Sequence, residues 1–386
     1  MTAGRVYLDH AATTPVRAEV LAAMLPHFSE NGYNASSMHA EGRRARAALD
    51  AARASVATRL GAAPKECIFV ASGSESDNLA IVGAARAAAV RGRHVVSTPV
   101  EHHAVLHALD GLREDDWEIT LVPVDARGLV DPADFEQALR DDTSLASVMY
   151  ANNETGVLQP IAQLAAAARR KGVIFHTDAA QAAPYLPLDV ASLGVDLLTI
   201  SGHKFGGPQG SAGLYVRRGT RLAPLVRGGG QEYGLRAGTE NVAGIVGFAA
   251  AYDLACAEQS ETAGRAAALR DRLEAGLLRL GGIRVNGGGV ARVPQISNLS
   301  ILGVVTEQML IRLDLEGVSV SGGSACTSGV LEPSHVLAAM QIPTEWASGV
   351  LRFSVGAGTT VAHVDRAVEV TSRAIESLRP ISSVPA

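Results

Sequence analysis

The chain has little cysteine: three residues among 386, far apart in the sequence and without a Cys-x-x-Cys pair. A small, odd number of this kind excludes a disulfide scaffold and is typical of a reducing compartment. Cys67 precedes a strand-like run and Cys256 lies in an alanine-rich stretch, so we expect both to be buried. Cys326 differs, because glycines and hydroxyl residues surround it from 321 to 329. That setting favours a reactive thiol over a packed one.

Long apolar runs and an excess of positive charge are also missing. No run reaches the roughly 18 residues that a membrane span needs, and the N-terminus lacks the basic-then-apolar layout of a signal peptide. The net charge of -5, from 34 basic and 39 acidic side chains, argues against direct nucleic-acid binding. We therefore predict a cytoplasmic protein that contacts neither membrane nor nucleic acid.

The chain does have a repeated alternation of apolar, strand-like runs with helical patterns such as Arg43–Leu60, Asp77–Arg91 and Ile161–Lys171. This alternation predicts an α/β fold in which a mainly parallel, seven-stranded sheet lies between helices. The predicted strands are Cys67–Val70, His94–Ser97, Ile119–Val122, Leu145–Tyr150, Val173–Thr177, Leu197–Ser201 and Gly213–Val216.

The pattern changes near residue 258. Leucines recur at helical spacing from 269 to 280, and short strand-like runs follow, which predicts a smaller α+β domain. We place the large domain at 15–258. We assign residues 1–14 and 259–386 to the small domain, which carries the loop of Cys326 at about 321–332.

Lys204 is the strongest candidate for chemistry. It follows a predicted strand in Ser201-Gly-His-Lys204, and a desolvated lysine becomes nucleophilic; a surface lysine in a turn is the alternative. Asp178 lies 26 residues upstream at the end of another apolar run, where a buried carboxylate needs a cationic partner. An amine and a buried acid suit pyridoxal phosphate (PLP), whose aldehyde takes the amine and whose ring nitrogen pairs with the acid. Gln181, one turn further on, is placed to meet the ring oxygen.

Other polar segments also follow predicted strands, where open α/β sheets bind ligands. The stretch 71–78 opens a helix whose N-terminus suits a phosphate, or it is a plain turn with Ser76 or Asp77 as the helix cap. His102 suits ring stacking and proton transfer, or it is a solvated loop histidine. The Asn153 side chain is placed to donate a hydrogen bond to a carboxylate or phenolate. The alternative is that this segment only forms a structural turn.

Arg352 lies on a predicted strand of the small domain. It suits a bidentate clamp on a substrate carboxylate, or a structural ion pair.

Together these segments resemble cysteine desulfurases of the NifS/IscS class, within the class V aminotransferase group of fold-type I PLP enzymes. The resemblance runs nearly end to end. It is carried by Tyr7-Leu-Asp9, Ser74-Glu-Ser-Asp-Asn78, Glu101-His102, Asn152-Asn-Glu154, Asp178-x-x-Gln181, Ser201-Gly-His-Lys204, Gly238-Thr239, Ser324-Ala-Cys-Thr-Ser328 and Leu331-Glu-Pro-Ser334.

The resemblance implies a role for each motif. Lys204, His102 and Cys326 would be catalytic: L-cysteine would lose its sulfur to Cys326 as a persulfide, leaving L-alanine. Asn34, Asn153 and Arg352 would hold the substrate, Thr239 would reach the cofactor from a second subunit of a homodimer, and no metal would take part. The implied PLP-binding residues are Gly73, Ser74, His102, Asn153, Asp178, Gln181, Ser201, His203, Lys204 and Thr239.

The resemblance also implies a sulfur-acceptor protein: an iron–sulfur scaffold, a sulfur carrier or a tRNA-modifying protein. A selenocysteine lyase or another class V aminotransferase-like enzyme is the alternative activity, and a catalytically idle binding partner is the third. Tyr233 departs from the pattern, because many relatives have arginine there. Tyr33-Asn34-Ala35 likewise replaces the usual Gly-Asn-Pro.

Overall fold

The computed structural model describes residues 4–323 and 334–379. Its strands are β1 Val6–Tyr7, β2 Cys67–Val70, β3 His94–Ser97, β4 Glu118–Leu121, β5 Thr143–Ser147, β6 Ile174–Asp178, β7 Leu197–Ser201, β8 Ala212–Val216, β9 Ile283–Val285, β10 Ile296–Ile301, β11 Val318–Ser319 and β12 Val350–Ser354. Its helices are α1 Ala18–Met24, α2 Ala40–Leu60, α3 Gly73–Ala88, α4 His103–Glu114, α5 Pro132–Ala138, α6 Ile161–Arg170, α7 Val190–Leu193, α8 Val242–Ala257, α9 Gln259–Leu278, α10 Thr306–Leu315, α11 His335–Ala339, α12 Thr344–Ala347 and α13 Val361–Leu378.

The central sheet has seven strands in the order β2-β8-β7-β6-β5-β3-β4. Strand β8 runs antiparallel to both of its neighbours, and the remaining pairs are parallel. The interior strands β3, β5 and β7 are buried along their whole length, whereas the edge strand β4 is not. Helices on both faces exclude water from the interior strands, which explains their continuous apolar sequences. The predicted α/β fold with a mainly parallel, seven-stranded sheet is confirmed.

Pairing beyond the end of β5 brings polar residues toward β6. The regular strand ends at Ser147, three residues before the predicted end, but Val148 N and Tyr150 N still donate to His176 O and Asp178 O. This extended pairing carries the chain that leads to Asn153 past the carboxyl end of β6, where Asp178 lies. Successive strands therefore deliver their polar ends to one edge of the sheet.

Helix α3 begins at Gly73, four residues earlier than predicted. Its N-cap is Ser72, whose Oγ accepts from Glu75 N at 3.1 Å. The alternative in which Ser76 or Asp77 caps this helix is wrong, because both residues are buried within its first turns. The earlier start places the helix N-terminus directly after β2.

The N-terminal strand lies with the C-terminal part of the chain. Strand β1 pairs in parallel with β11, and β12-β10-β9 form an antiparallel sheet beside them. Val6 and Leu8 share a buried cluster with leucines of α9 and with β12. Glu258 lies between α8 and α9 and forms an ion pair with Arg17 at 2.6 Å. The domain boundary at 258 falls at this junction and stays a prediction.

None of the helices in the described ranges combines the length and hydrophobicity that a bilayer span requires.

Candidate active site

A cavity of about 470 Å³ lies at the carboxyl ends of β6 and β7 and reaches the start of α3. Most of the residues that the sequence nominates meet there. They are Gly73, Ser74, His102, Asn153, Asp178, Gln181, Ser201, His203, Lys204 and Arg352.

Lys204 ends a short 3₁₀ turn that continues from β7. Its Nζ donates to Ala11 O at 2.6 Å and to Ala12 O at 2.9 Å. Burial, and then the positive charge of Arg352, lower the pKa of Lys204 to about 8, against the opposing pull of Asp178. A neutral amine has two N–H groups and one lone pair. Because the two carbonyls take both N–H groups, the lone pair is left for an electrophile.

Asp178 ends β6 and is almost fully buried. Its Oδ1 accepts from Ala180 N at 2.9 Å. Burial raises the pKa of Asp178, and the Ala180 N–H and the charge of Lys204 oppose that rise. A buried carboxylate is stabilised most by a cation beside it. Gln181 lies on the same turn, and its Nε2 donates to Ala11 O at 2.9 Å, so it shares this acceptor with Lys204.

Asp77 is a wall residue of the cavity that sequence reasoning assigned only as a possible helix cap. It is 2% exposed, and its Oδ1 has no hydrogen-bond partner among the described residues. Burial, and then the charge of Asp178, raise the pKa of Asp77 well above its usual range. The sequence contains a sign of this position in the cavity wall: Asp77 is three residues after Ser74, so the two share a helix face. The second buried acid increases the need for a cation in this cavity.

The other end of the cavity suits an anion. Gly73 is the first residue of α3, a 16-residue helix whose first N–H groups have no acceptors within the helix. A Cβ added at Gly73 would lie 3.3 Å from Ser201 Cβ, so a larger residue would fill the space between them. His203 is held by a contact between Nδ1 and Thr13 Oγ1 at 3.2 Å. Burial and the charge of Lys204 lower the pKa of His203 to about 4, so the ring is neutral.

His102 is the N-cap of α4. Its Nδ1 accepts from Ala104 N at 3.1 Å, which requires the lone pair on Nδ1 and therefore puts the ring proton on Nε2. Burial, and then the charge of Lys204, lower the pKa of His102 to about 4. The prediction of a solvated loop histidine is wrong for this residue. Its neutral ring offers one N–H in the cavity wall.

Arg352 on β12 is fixed by residues far away in the sequence. Its Nη1 donates to Asn153 O at 2.8 Å and its Nη2 to Asp9 Oδ1 at 2.9 Å. Its Nε and Asn153 Oδ1 are buried and have no hydrogen-bond partner within the described ranges. Arg352 therefore forms the ion pair that the sequence left as one alternative, and it keeps a free N–H for a ligand.

Three nominated residues are not in the described cavity. Asn34 is exposed, and its Oδ1 accepts from Ser36 N at 2.8 Å. Thr239 is also exposed. Cys326 lies outside the described residues, as does most of the predicted loop, although Ser321 and Gly323 at its start line the cavity. Tyr233 is remote from the cavity wall; its ring lies against Arg53, with the guanidinium carbon 5.3 Å from the ring centre.

The fold and the site together define an enzyme of the PLP fold-type I class, in which a lysine after a sheet strand faces a buried aspartate. The chain belongs to the family described as aminotransferase class-V, whose model matches residues 6–367, and within it to the cysteine desulfurases of the NifS/IscS class.

The comparisons that show this span nearly the whole chain. The cysteine desulfurase IscS of Dictyoglomus turgidum is 47% identical over 378 residues, which cover 98% of this chain and 96% of that protein. A solved NifS-like protein has a TM-score of 0.92 and 34% identity, covering 97% of this chain and 100% of that one. A solved SspA in complex with cysteine has a TM-score of 0.81 and 33% identity, covering 91% and 98%.

Proposed function

We propose that the protein removes sulfur from L-cysteine, releases L-alanine and keeps the sulfur as a persulfide on Cys326. The carbon–sulfur bond of the substrate breaks, a sulfur–sulfur bond forms at Cys326, and the substrate carbon gains a proton. The observation that carries the proposal is the convergence of Lys204, Asp178, His102 and Arg352 on one cavity in a chain of this family.

The residues present fit PLP. Asp178 and Asp77 form an acidic end that suits a cationic ring nitrogen, and the space between Gly73 and Ser201 at the start of α3 suits a phosphate. When bound, the cofactor supplies an electron sink for the charge that develops on the substrate α-carbon. Gly73, Ser74, Ser201 and His203 would hold the phosphate. Asp178, Gln181 and His102 would surround the ring, with Lys204 as the attachment point.

The side chains of the cavity divide the remaining work. Lys204, with a pKa near 8, accepts and returns protons close to neutral pH. His102 offers Nε2–H as a donor, because its Nδ1 is committed to the helix backbone. Arg352 Nε and the Asn153 side chain bind the substrate carboxylate, and Asp9 keeps the guanidinium in place.

The choice of L-cysteine as the substrate is supported by the family and by one solved relative. SspA, a solved relative, was determined in complex with cysteine, and the cavity of this chain offers the carboxylate-binding group and the amine that an amino acid requires. A sulfur-acceptor protein then takes the persulfide sulfur, because the enzyme must regain a free thiol for the next turnover.

A homodimer explains where Asn34 and Thr239 act. Arg46 joins their neighbours: its Nε donates to Ala35 O at 3.2 Å and its Nη2 to Glu240 Oε1 at 3.1 Å. Asn34 and Thr239 therefore lie on one exposed surface, away from the cavity of their own chain. The same surface includes Met38, whose side chain is 89% exposed. A second copy that covers this surface would bring Thr239 to the neighbouring cavity.

The purified protein tests the proposal directly. We expect it to be yellow, to sediment as a dimer, and to release alanine and sulfide in equal amounts from L-cysteine with a thiol reductant. L-Serine, which lacks the sulfur, is the control and should give no turnover. An activity that needs a 2-oxo acid and produces no sulfide would instead establish an aminotransferase.

The lowered pKa of Lys204 predicts how the protein takes up its cofactor. At pH 7 about one tenth of an amine with a pKa near 8 is neutral, against about one part in three thousand for the usual value of 10.5. The rate at which PLP reconstitutes the apoprotein should therefore rise with pH to about 8 and then level off. Stopped-flow absorbance measures it, and the rate of Nα-acetyl-lysine with PLP, expressed per neutral amine, corrects for titration of PLP itself. A corrected rate that still rises above pH 9 would show that the amine is not desolvated.

A further inference from the structure

Glu154 is a buried carboxylate that the proposed chemistry does not use. It directly follows Asn153 in the cavity wall and is 1% exposed. Its main chain is held on both sides: Glu154 N donates to Asn152 Oδ1 at 2.9 Å, and Asn298 Nδ2 donates to Glu154 O at 3.2 Å. Burial of a carboxylate is costly, so a structure that keeps one here implies a specific partner.

One partner is Ser334, the first described residue after the gap at 324–333. Ser334 Oγ donates to Glu154 Oε2 at 2.5 Å and accepts from Leu337 N at 3.1 Å, which makes it the N-cap of α11. The hydroxyl has a single proton, and this proton is committed to Glu154 because the cap uses a lone pair. Glu154 thus fixes the residue at which the chain re-enters the described fold.

Gly323, the last described residue before the gap, lies beside the same carboxylate. A Cβ added to Gly323 would lie 3.2 Å from Glu154 Oε2 and 3.4 Å from Asn298 Nδ2, so the carboxylate occupies the space next to this residue. The φ of +93° at Gly323 belongs to a region that other residues rarely adopt. Two residues earlier, Ser321 N and O pair with the main chain of Arg352 at 3.2 and 2.7 Å. The last described residues before the gap are therefore held by a strand pairing and lie beside the same oxygen that Ser334 contacts.

We propose that Glu154 is a positioning residue for the sulfur-transfer step, because it holds Ser334 and lies beside Gly323, the two described residues that border the stretch containing Cys326 (the attachment points). The inference rests on the proposed function of Cys326. Displacing an attachment point would displace the thiol that is covalently connected through it, and a misplacement of about 1 Å can cost up to a hundredfold in rate. Asn153, the adjacent residue, contacts Arg352, so the substrate clamp and the attachment points share one rigid segment.

Variants on the two sides of this contact test the proposal in the PLP-loaded dimer. We expect Glu154→Ala and Ser334→Ala each to lower kcat for sulfide release about tenfold or more, with KM for L-cysteine changed less than about twofold, because Arg352 is untouched. The kcat of the double variant should lie within about twofold of the kcat of the less active single variant, because both substitutions remove the same contact. Ser334→Thr, which keeps a hydroxyl for the cap and for Glu154, should restore kcat.

Glu66→Ala is the matched control. Glu66 is also a carboxylate that accepts backbone N–H groups, from Ala63 and Arg218, but it lies outside the cavity, so its kcat should be unchanged. Should Glu154→Ala fail to fold, Ser334→Ala still removes the contact from a half-buried residue. Additive losses in the double variant, or a kcat within twofold of the unmodified enzyme, would overturn the proposal. Full turnover in Cys326→Ser would instead overturn the proposed function itself, so the two failures are distinguishable.

Discussion

Lys204→Ala is expected to abolish release of alanine and sulfide from L-cysteine. The variant loses the amine proposed to attach the cofactor and to move protons near neutral pH, and proton transfer alone is worth roughly 10²–10⁴-fold in rate. Borohydride reduction followed by peptide mass analysis measures the attachment: the unmodified protein should carry a PLP-derived mass on the peptide that contains Lys204. The variant should lack both the mass and the turnover.

The chain offers unusually clean controls for this experiment. It has three lysines, and the other two, Lys65 and Lys171, are exposed. Lys65→Ala and Lys171→Ala should therefore retain both the attached mass and the activity. If either of these variants lost the attached mass while Lys204→Ala kept it, the assignment of Lys204 would be wrong. The composition alone thus limits the lysine amine that could attach the cofactor to three positions.

The strand-end residues of the cavity were predictable because local sequence determines them. Asp178 ends one apolar strand and Lys204 comes three residues after the end of another, and in a parallel sheet such ends converge on one edge. The periodicity of apolar residues located the strands of the central sheet to within a few residues. Periodicity does not encode where a strand stops, which is why β5 was predicted to end three residues too late.

Contacts between distant parts of the chain were beyond prediction from the sequence. Arg352 donates hydrogen bonds to Asp9 and to the carbonyl of Asn153, and no sequence pattern near Arg352 predicts either partner. The sequence therefore left a substrate clamp and an ion pair as alternatives; the structure shows the ion pair with Asp9, and the clamp stays a prediction. The same limit applies to Glu154, whose hydrogen bond with Ser334 and position beside Gly323 depend on the meeting of three separate segments.

Asn34 and Thr239 are predicted site residues that do not line the cavity of their own chain. Both were nominated through the resemblance alone, and both are exposed outside the cavity of their own chain. Their neighbours converge on Arg46, which makes one continuous surface of two segments about 200 residues apart. Their roles in the site thus stay predictions that depend on the proposed dimer.

Cys326→Ser is expected to stop sulfur transfer while leaving cofactor binding intact. A thiolate can accept the substrate sulfur as a persulfide, whereas a serine side chain has no sulfur with which to form the sulfur–sulfur bond. Sulfide release should fall by at least about a thousandfold, a loss typical of removing a covalent nucleophile. The absorbance of bound PLP should remain, and L-cysteine should still perturb it, because Lys204, Asp178 and Arg352 are unchanged.

Cys67 and Cys256 supply the matched controls for the thiol. Burial raises the pKa of Cys67 to about 12 and also raises that of Cys256, so neither provides a thiolate near neutral pH. Cys67 is fully buried as predicted, whereas Cys256 is only partly buried, which corrects that prediction. Cys67→Ala and Cys256→Ala should keep turnover within about threefold of the unmodified enzyme, because each change removes only one small side-chain atom outside the cavity. Mass analysis after L-cysteine treatment should locate the added sulfur on the peptide containing Cys326; a persulfide on either other cysteine, with Cys326→Ser still active, would exclude Cys326 as the acceptor.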